Sequence, residues 1–427
     1  MSALIIFTLL MVLMLTGMPI SIALGLTVMT FLFTMTSVPV ESVALKLFTG
    51  IEKFEIMAIP FFILAGNFLT HGGVAKRMVN FATSMVGHWY GGLGLAGVMA
   101  CALFAAVSGS SPATVVAIGS ILLPAMLKAG FPKQFGAGII TSSGALGILI
   151  PPSIVMVMYA VATNASIGAL FMAGIIPGLI LTFFLGAVTW YRAYKFNYPR
   201  QPRASLKMRV RAFLDSVWGL LLIVVVMGGI YTGIFTPTEA AAMSAVYAFV
   251  IAVFVYKDMS LKDVPRVLLN SASMSAMLLY IITNAVLFSF LLTNENIPQS
   301  LASWMTGMGM GVIVFLIAVN IILLIAGNFM EPSSIMLIFA PIFFPMAMAL
   351  GINPIHFGII MVVNMEIGML TPPVGLNLYV ASGITKMGLS ELTVAVLPWL
   401  FTMLAFLMLV TYVPAISLWL PGVMGML

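Results

Sequence analysis

Two short, chemically unusual stretches occur twice in this chain, and each occurrence joins a polar tip to a pair of prolines inside apolar sequence. The first set is Ser108-Gly109-Ser110-Ser111-Pro112 followed by Ile150-Pro151-Pro152-Ser153. The second is Gly327-Asn328-Phe329-Met330-Glu331-Pro332 followed by Thr371-Pro372-Pro373. Proline has no N–H and its ring displaces the preceding turn, so a Pro-Pro break leaves carbonyls without helical partners. Such carbonyls, with Ser, Thr or Asn oxygens beside them, suit a hard cation such as Na⁺. The helix that restarts beyond the break offers free N–H groups that suit a carboxylate. The chemistry is therefore the binding of a small cation beside an organic anion. A single Pro-Pro reads as a structural kink. Two at matched positions, each with a polar tip upstream, read as a pair of sites.

One sodium is expected between the first tip and the first break, at Ser108, Ser110, Ser111, Ile150 and Pro151. A second is expected at Gly327, Asn328, Met330, Thr371 and Pro372. Backbone carbonyls should supply most ligands, since apolar side chains surround these points. Substrate is expected between the tips, at Ser110 and Ser111, with Ser143, Ser153, Asn364 and Glu366 as further candidates. Ser143 and Asn364 are 221 positions apart, and both are polar residues on the helix that leads to a break. A carboxylate embedded in a membrane is a functional hypothesis by default. For Glu366 a structural hydrogen bond and a part in ion coupling stay open; Glu239, after Thr236-Pro237-Thr238, reads as a first-turn acid on its helix.

These residues need apolar helices to hold them, and the composition supplies little else. With 62% hydrophobic and 7% charged residues, the chain is excluded from the soluble globular class, where charge runs near a quarter. Apolar stretches long enough to span a bilayer recur throughout, without the short alternating segments of an outer-membrane barrel. The expected fold is an all-α polytopic membrane protein. The 38 Gly and 35 Met suit closely packed, adaptable membrane helices. No cleavable signal peptide is expected: the N-terminus lacks a basic region, and residues 3 to 35 are apolar beyond any signal core.

The offset between the Pro-Pro doublets, 221 residues, holds around them: Pro124 matches Pro345, Gly130 matches Gly351, Gly147 matches Gly368, and Pro177 matches Pro398. The chain thus reads as two repeats, residues 1–191 and 213–427. Each carries a hairpin (about 93–127 and 312–350) and a broken helix (about 135–161 and 354–382). Hairpin arms of about 15 residues are short for a crossing of ~20, so re-entrant hairpins with tips near the midplane are expected, an ordinary loop between spans being the alternative. Irregular backbone at that depth is tolerated where protein buries it or it lines a cavity.

Residues 192–212 hold Arg192, Lys195, Arg200, Arg203, Lys207, Arg209 and Arg211 with no acid between them, whereas residues 1–45 and 388–427 hold no Lys or Arg. Cytoplasmic loops carry the basic excess. The linker is therefore expected in the cytoplasm, against anionic lipid headgroups, and the repeats inverted with both termini outside. Inverted repeats with broken helices at the midplane are the signature of alternating-access carriers. A nucleic-acid partner is not expected, since no soluble fold displays a basic patch.

Other chemistries find no support. His71, His88 and His356 are read in loops or interfacial turns, too dispersed for a metal site, and Cys101 stands alone in apolar sequence. Ser108 to Ser111 as a protease nucleophile would need a general base within reach, and no His or Lys falls in a neighbouring span. No phosphate-cradling loop occurs, so ATP-driven transport is unsupported.

The stretches Pro60-Phe61-Phe62-Ile63-Leu64-Ala65-Gly66, Val107-Ser108-Gly109-Ser110-Ser111, Ile150-Pro151-Pro152-Ser153, Gly233-Ile234-Phe235-Thr236-Pro237-Thr238-Glu239-Ala240-Ala241-Ala242 and Gly368-Met369-Leu370-Thr371-Pro372-Pro373-Val374-Gly375-Leu376-Asn377 together resemble the large membrane subunit of tripartite ATP-independent periplasmic (TRAP) transporters, over essentially the whole chain. The resemblance implies membership of the ion transporter superfamily and an elevator, in which a transport domain of two hairpins and two broken helices slides against a scaffold. It implies sodium-driven uptake of organic acids, typically C4-dicarboxylates or sialic acid, across the bacterial inner membrane. It implies two partners, a periplasmic substrate-binding protein and a small four-helix membrane subunit, and no cofactor beyond coupling Na⁺. A proton-coupled carboxylate carrier and an anion channel are the alternatives.

Overall fold

The computed structural model describes residues 2–36, 38–307, 309 and 311–427, without the side chains of residues 2–4, 302 and 304–306. The described residues form helices and no strand. In order these are α1 (Ser2–Leu15), α2 (Ile20–Met35), α3 (Val40–Thr49), α4 (Ala58–His71), α5 (Val74–Val86), α6 (Gly92–Ser108), α7 (Ser111–Lys128), α8 (Lys133–Gly144), α9 (Ile154–Thr163) and α10 (Ile167–Lys195). They continue as α11 (Leu206–Tyr231), α12 (Pro237–Val250), α13 (Val264–Asn294), α14 (Ile297–Gly307), α15 (Val312–Gly327), α16 (Pro332–Ala349), α17 (Pro354–Gly368), α18 (Leu376–Thr385), α19 (Leu389–Tyr412) and α20 (Ala415–Val423). Eight helical stretches among the described residues are long and apolar enough to cross a bilayer. Large apolar side chains such as Phe183, Val224, Ile313 and Phe401 stand exposed, as befits a surface that meets lipid rather than water.

Polar residues mark where helices start. Ser153, Ser166 and Ser205 accept the backbone N–H three residues on, at the starts of α9, α10 and α11. Asn353 does the same for α17. Thr236 and Glu239 form a reciprocal capping box at α12, so Glu239 is the first-turn acid its position suggested. Each cap satisfies donors that the first turn leaves orphaned, worth about 0.5–2 kcal/mol.

The order hairpin, broken helix, long helix occurs twice. The hairpin α6–α7 is followed by α8, a 3-10 turn (Ala145–Ile148), α9 and α10; the hairpin α15–α16 is followed by α17, α18 and α19. All four hairpin arms are 16 to 18 residues long, below the ~20 of a straight crossing. Both Pro-Pro bonds, Pro151-Pro152 and Pro372-Pro373, are cis.

The helices pack as two groups along a seam. In one, α4 lies against α12 and α13, α13 against α2 and α3, and α11 against α5 and α12. In the other, α7 lies on α8 and α18, α8 on α19, α15 on α17, and α16 on α9. Helices α4 and α5 meet α6, and α13 meets α16, across the seam.

Two readings change. The basic segment is helical at both ends: Arg192 and Lys195 close α10, and Lys207, Arg209 and Arg211 open α11. His356 is buried in the first turn of α17, its Nδ1 2.7 Å from the Ser417 hydroxyl, because α20 folds back over that turn. The amphipathic α5 buries Val74, Ala75, Met78, Val79 and Ala82 against protein, covered by α6 and α11. Helix α14 follows α13 directly and runs to Gly307.

Candidate functional site

Each hairpin tip is strapped to the break of the helix that follows it. At the first, the Ile154 N–H reaches the Gly109 carbonyl at 3.5 Å; at the second, the Val374 N–H donates to the Asn328 carbonyl at 2.9 Å. The close approach is made by glycine. Gly109 sits at φ +60°, in the left-handed region, and a Cβ there would come within 2.8 Å of the Pro152 carbonyl oxygen. A Cβ on Gly147 would meet the Ser110 carbonyl oxygen at 2.6 Å, and one on Gly327 would meet the Gly368 Cα at 2.7 Å. The matched glycines therefore let each tip touch its break backbone to backbone.

At the first tip, the Ser108 and Thr114 hydroxyls lie 2.9 Å apart, and the Thr114 hydroxyl also donates to the Ser110 carbonyl at 2.8 Å. The Ser111 hydroxyl donates to the Gly144 carbonyl on α8 at 2.9 Å and accepts from the Asn377 amide on α18 at 2.6 Å. The first tip is thus tied to both broken helices. At the second tip, the Thr371 hydroxyl donates to Asn328 Oδ1 at 2.5 Å, and Ser334 donates to the Glu331 carboxylate at 3.1 Å. Oxygen atoms of tip and break converge at both junctions, the donor set a hard cation requires. Met330 is buried in the second tip, Pro151 is buried at the first break, and Pro372 is exposed at the second. Ile150 packs toward Gly178 of α10.

Between the tips lies a cavity of about 510 Å³. Ser108, Ser110, Ser111, Glu331 and Ser333 contribute from the tips, Met369 and Leu376 from the second broken helix, and Asn67, Thr70, Met274 and Met277 from α4 and α13 across the seam. The size suits a small organic ligand, within the usual 300–1,000 Å³. Asn67 donates to the Ser271 hydroxyl at 2.7 Å, which fixes that wall.

Of the residues expected to face substrate, Ser110 and Ser111 line this cavity; Ser143, Ser153, Asn364 and Glu366 do not. Ser153 is occupied as the cap of α9, its hydroxyl donating to the Ile148 carbonyl at 2.6 Å. Asn364 donates to Asn320 Oδ1 at 2.8 Å, and Asn320 donates to the Thr411 hydroxyl at 3.1 Å. That chain pins α17 to α15 and α19. Ser143 is fully buried with no partner for its hydroxyl. Glu366 is fully buried too, and neither carboxyl oxygen has a hydrogen-bond partner. The cavity residues that sequence reasoning missed include Asn67, Thr70, Met274 and Met277. Asn67 carried a signal, as an amide within the apolar run 59–69; the two Met residues carried none.

Comparison with known proteins agrees with this architecture. Residues 7–416 match the family "Tripartite ATP-independent periplasmic transporter, DctM component". The chain is 75% identical over 440 residues to the C4-dicarboxylate TRAP transporter large permease protein DctM of Rhodobacter capsulatus, covering 100% of both. It is 57% identical over 387 residues to the protein of the same description from Pseudomonas aeruginosa, covering 91% of each. It is 35% identical over 405 residues to the sialic acid TRAP transporter large permease protein SiaM of Vibrio cholerae, covering 95% of each. In fold, it is similar to the crystal structure of the Alcanivorax borkumensis YdaH transporter, with a TM-score of 0.61 at 16% identity over 90% of this chain and 88% of that one. The chain belongs to the DctM component family of tripartite ATP-independent periplasmic transporters, and is a large permease subunit, not an enzyme, that crosses the bacterial inner membrane many times.

Proposed function

We propose that this subunit carries a C4-dicarboxylate into the cell, driven by sodium, after a periplasmic binding protein delivers it, and that a small four-helix membrane subunit packs against the helices outside the hairpins. The observation that carries the reading is the pair of tip-and-break junctions, which converge hydroxyl, amide and carbonyl oxygens on two points beside one cavity. One sodium would sit at Ser108, Ser110, Ser111, Ile150 and Pro151, the other at Gly327, Asn328, Met330, Thr371 and Pro372. Substrate would lie between the tips at Ser110 and Ser111, facing the α7 N-terminus. The dicarboxylate assignment rests on what the more similar relatives are described as carrying. The hairpin and broken-helix group would slide against the α4–α13 group as an elevator. No cofactor is invoked besides Na⁺.

The test is uptake of labelled succinate into proteoliposomes that hold both membrane subunits and the binding protein. A sodium gradient should drive accumulation, and choline in place of Na⁺ should abolish it. Flux indifferent to choline would reject sodium coupling. A proton-coupled carrier is the second reading, favoured by the unpartnered buried carboxyl of Glu366. It predicts accumulation driven by a pH gradient in the choline arm. An anion channel would show no accumulation in either arm.

The topology proposed with this function places residues 192–212 in the cytoplasm and both termini outside, with repeats 1–191 and 213–427 inverted. Single cysteines at Ser205 and Leu427, in a Cys101→Ala background, should react differently with an impermeant thiol reagent added to whole spheroplasts. The Leu427 position should label and the Ser205 position should not; the opposite pattern would overturn the assignment.

A further inference from the structure

A second cavity, of about 450 Å³, lies further along the same seam. Lys46, Thr49 and Lys53 line it from one side, Ser289 and Thr293 of α13 from another, and Leu337 and Pro341 of α16 close it. It shares two helices with the central cavity. Helix α13 gives Met274 and Met277 to one and Ser289 and Thr293 to the other, and Ser333 and Leu337 on α16 are one turn apart. The two cavities are therefore successive stations along one interface between the helix groups.

The charge of this second station is one-sided. Among the described residues the one ion pair joins Arg77 and Asp258, so neither lysine has a carboxylate partner. The Lys53 ammonium donates to the Val161 carbonyl at 2.8 Å and to Asn164 Oδ1 at 2.7 Å, both at the end of α9. A lysine has three donors, which leaves one. Lys46 lies over the Phe290 ring at 5.5 Å, a contact that leaves its N–H groups unspent. Burial lowers the pKa of Lys53, with Glu55 acting in the opposite direction. A half-buried ammonium with no carboxylate in direct contact, and only Glu55 acting on it from further off, costs free energy that a bound anion would offset.

We propose that Lys46 and Lys53 form an anion-binding station for a dicarboxylate, at the outer end of the seam, where substrate is held on its way to the central cavity. This rests on the uptake direction and topology proposed above, which put the end of α13 at Thr293 outside. Two lysines on one wall of the groove offer two ammonium groups to two carboxylates, in a way that a single cation would not. The bond from Lys53 to the end of α9 crosses the seam, so it must break if the helix groups slide, and a bound carboxylate would replace the partners it loses.

The probe is succinate, with the complex of both membrane subunits in phosphatidylcholine nanodiscs. An impermeant amine-reactive reagent labels lysines, and mass spectrometry reads each one. Succinate should cut labelling of Lys46 and Lys53 and leave Lys262 unchanged, against chloride at equal ionic strength. Equal labelling with and without succinate overturns the station. Protection that comes from phosphatidylglycerol and not from succinate also overturns it, and makes the groove a lipid headgroup site. In proteoliposomes, Lys46→Gln combined with Lys53→Gln should raise the KM for loaded binding protein roughly 10-fold or more, the loss expected when hydrogen bonds to a charged group go. Lys53→Arg should restore much of it, and a KM unmoved by the double substitution rejects the proposal. Labelling protection needs no gradient, so it can fail or succeed independently of sodium coupling.

Discussion

Gly368→Ala is expected to abolish uptake, while Gly383→Ala on the next helix leaves it intact. A Cβ on Gly368 would lie 2.6 Å from the Gly327 Cα and 3.0 Å from its carbonyl carbon, whereas nothing comes within 4 Å of a Cβ on Gly383. The obstructing atoms are backbone, so no side chain can rotate away. Helix α17 and the second tip must separate, and with them Thr371 and Asn328. Overpacking of this kind costs about 3 kcal/mol at the upper end of its usual range, which is roughly 100-fold in binding. Gly147→Ala should behave alike at the first junction, where Ser110 backbone is the obstacle. The measurement is initial uptake rate in proteoliposomes, with size-exclusion chromatography to confirm a folded protein. A monodisperse Gly368→Ala protein that transports at the rate of the unmodified one would show that backbone contact at this junction is dispensable. Gly383→Ala should if anything stabilise its helix, by up to about 1 kcal/mol.

Thr371→Val is expected to shift the sodium concentration for half-maximal uptake upward by roughly 5- to 150-fold. The change removes one hydroxyl at nearly constant volume. In the structure that hydroxyl donates to Asn328 Oδ1 at 2.5 Å and lies 3.0 Å from the Gly368 carbonyl. Loss of this part-buried hydrogen bond or ligand is worth on the order of 1–3 kcal/mol, and the fold-change follows if that cost falls on sodium binding. Half-maximal sodium, read from uptake titrations at fixed substrate, is the readout. An unshifted titration in a folded Thr371→Val protein would remove this hydroxyl from the sodium site. Equally silent Ser110→Ala and Pro372→Ala proteins would end the two-site reading as a whole.

The parts of this protein that read from sequence are those in which a local pattern has one physical solution. A proline pair cannot continue a helix, so the 3-10 turn after α8 stops at Ile148 and α17 stops at Gly368, both just short of the doublets. The tips at residues 108–112 and 327–332 could be placed because a polar run inside apolar sequence must be sheltered. What could not be read is the choice of partner across the fold. Asn364 looked like a cavity residue because it is polar and matches Ser143 at the repeat offset. Its role as a brace depends on Asn320 and Thr411, 44 residues before it and 47 after. Ser153 follows a break, and a break offers both a site and a helix start; the second demand took its hydroxyl. Met274 and Met277 are ordinary apolar residues on a long helix, and only the placement of α13 along the seam brings them to the cavity. His356 next to Pro354 read as a turn, but α20 covers it.

The bond between Ser111 and Asn377 spans 266 positions of sequence, and it has a consequence for how the protein is made. The first hairpin is among the early elements to leave the ribosome, yet its tip is completed by an amide near the end of the chain. At about 5–20 residues per second of synthesis, the tip waits on the order of tens of seconds for that partner. Trp399 to Thr189 repeats the pattern across 210 positions. The N-terminal half is therefore held in the bilayer as an unfinished piece, its polar tip dependent on water, lipid headgroups or insertion machinery until the last helices arrive. Biogenesis of such a permease is bound to the fate of its C-terminus: a chain truncated after α16 would keep both hairpins and still lack the amide that closes the first.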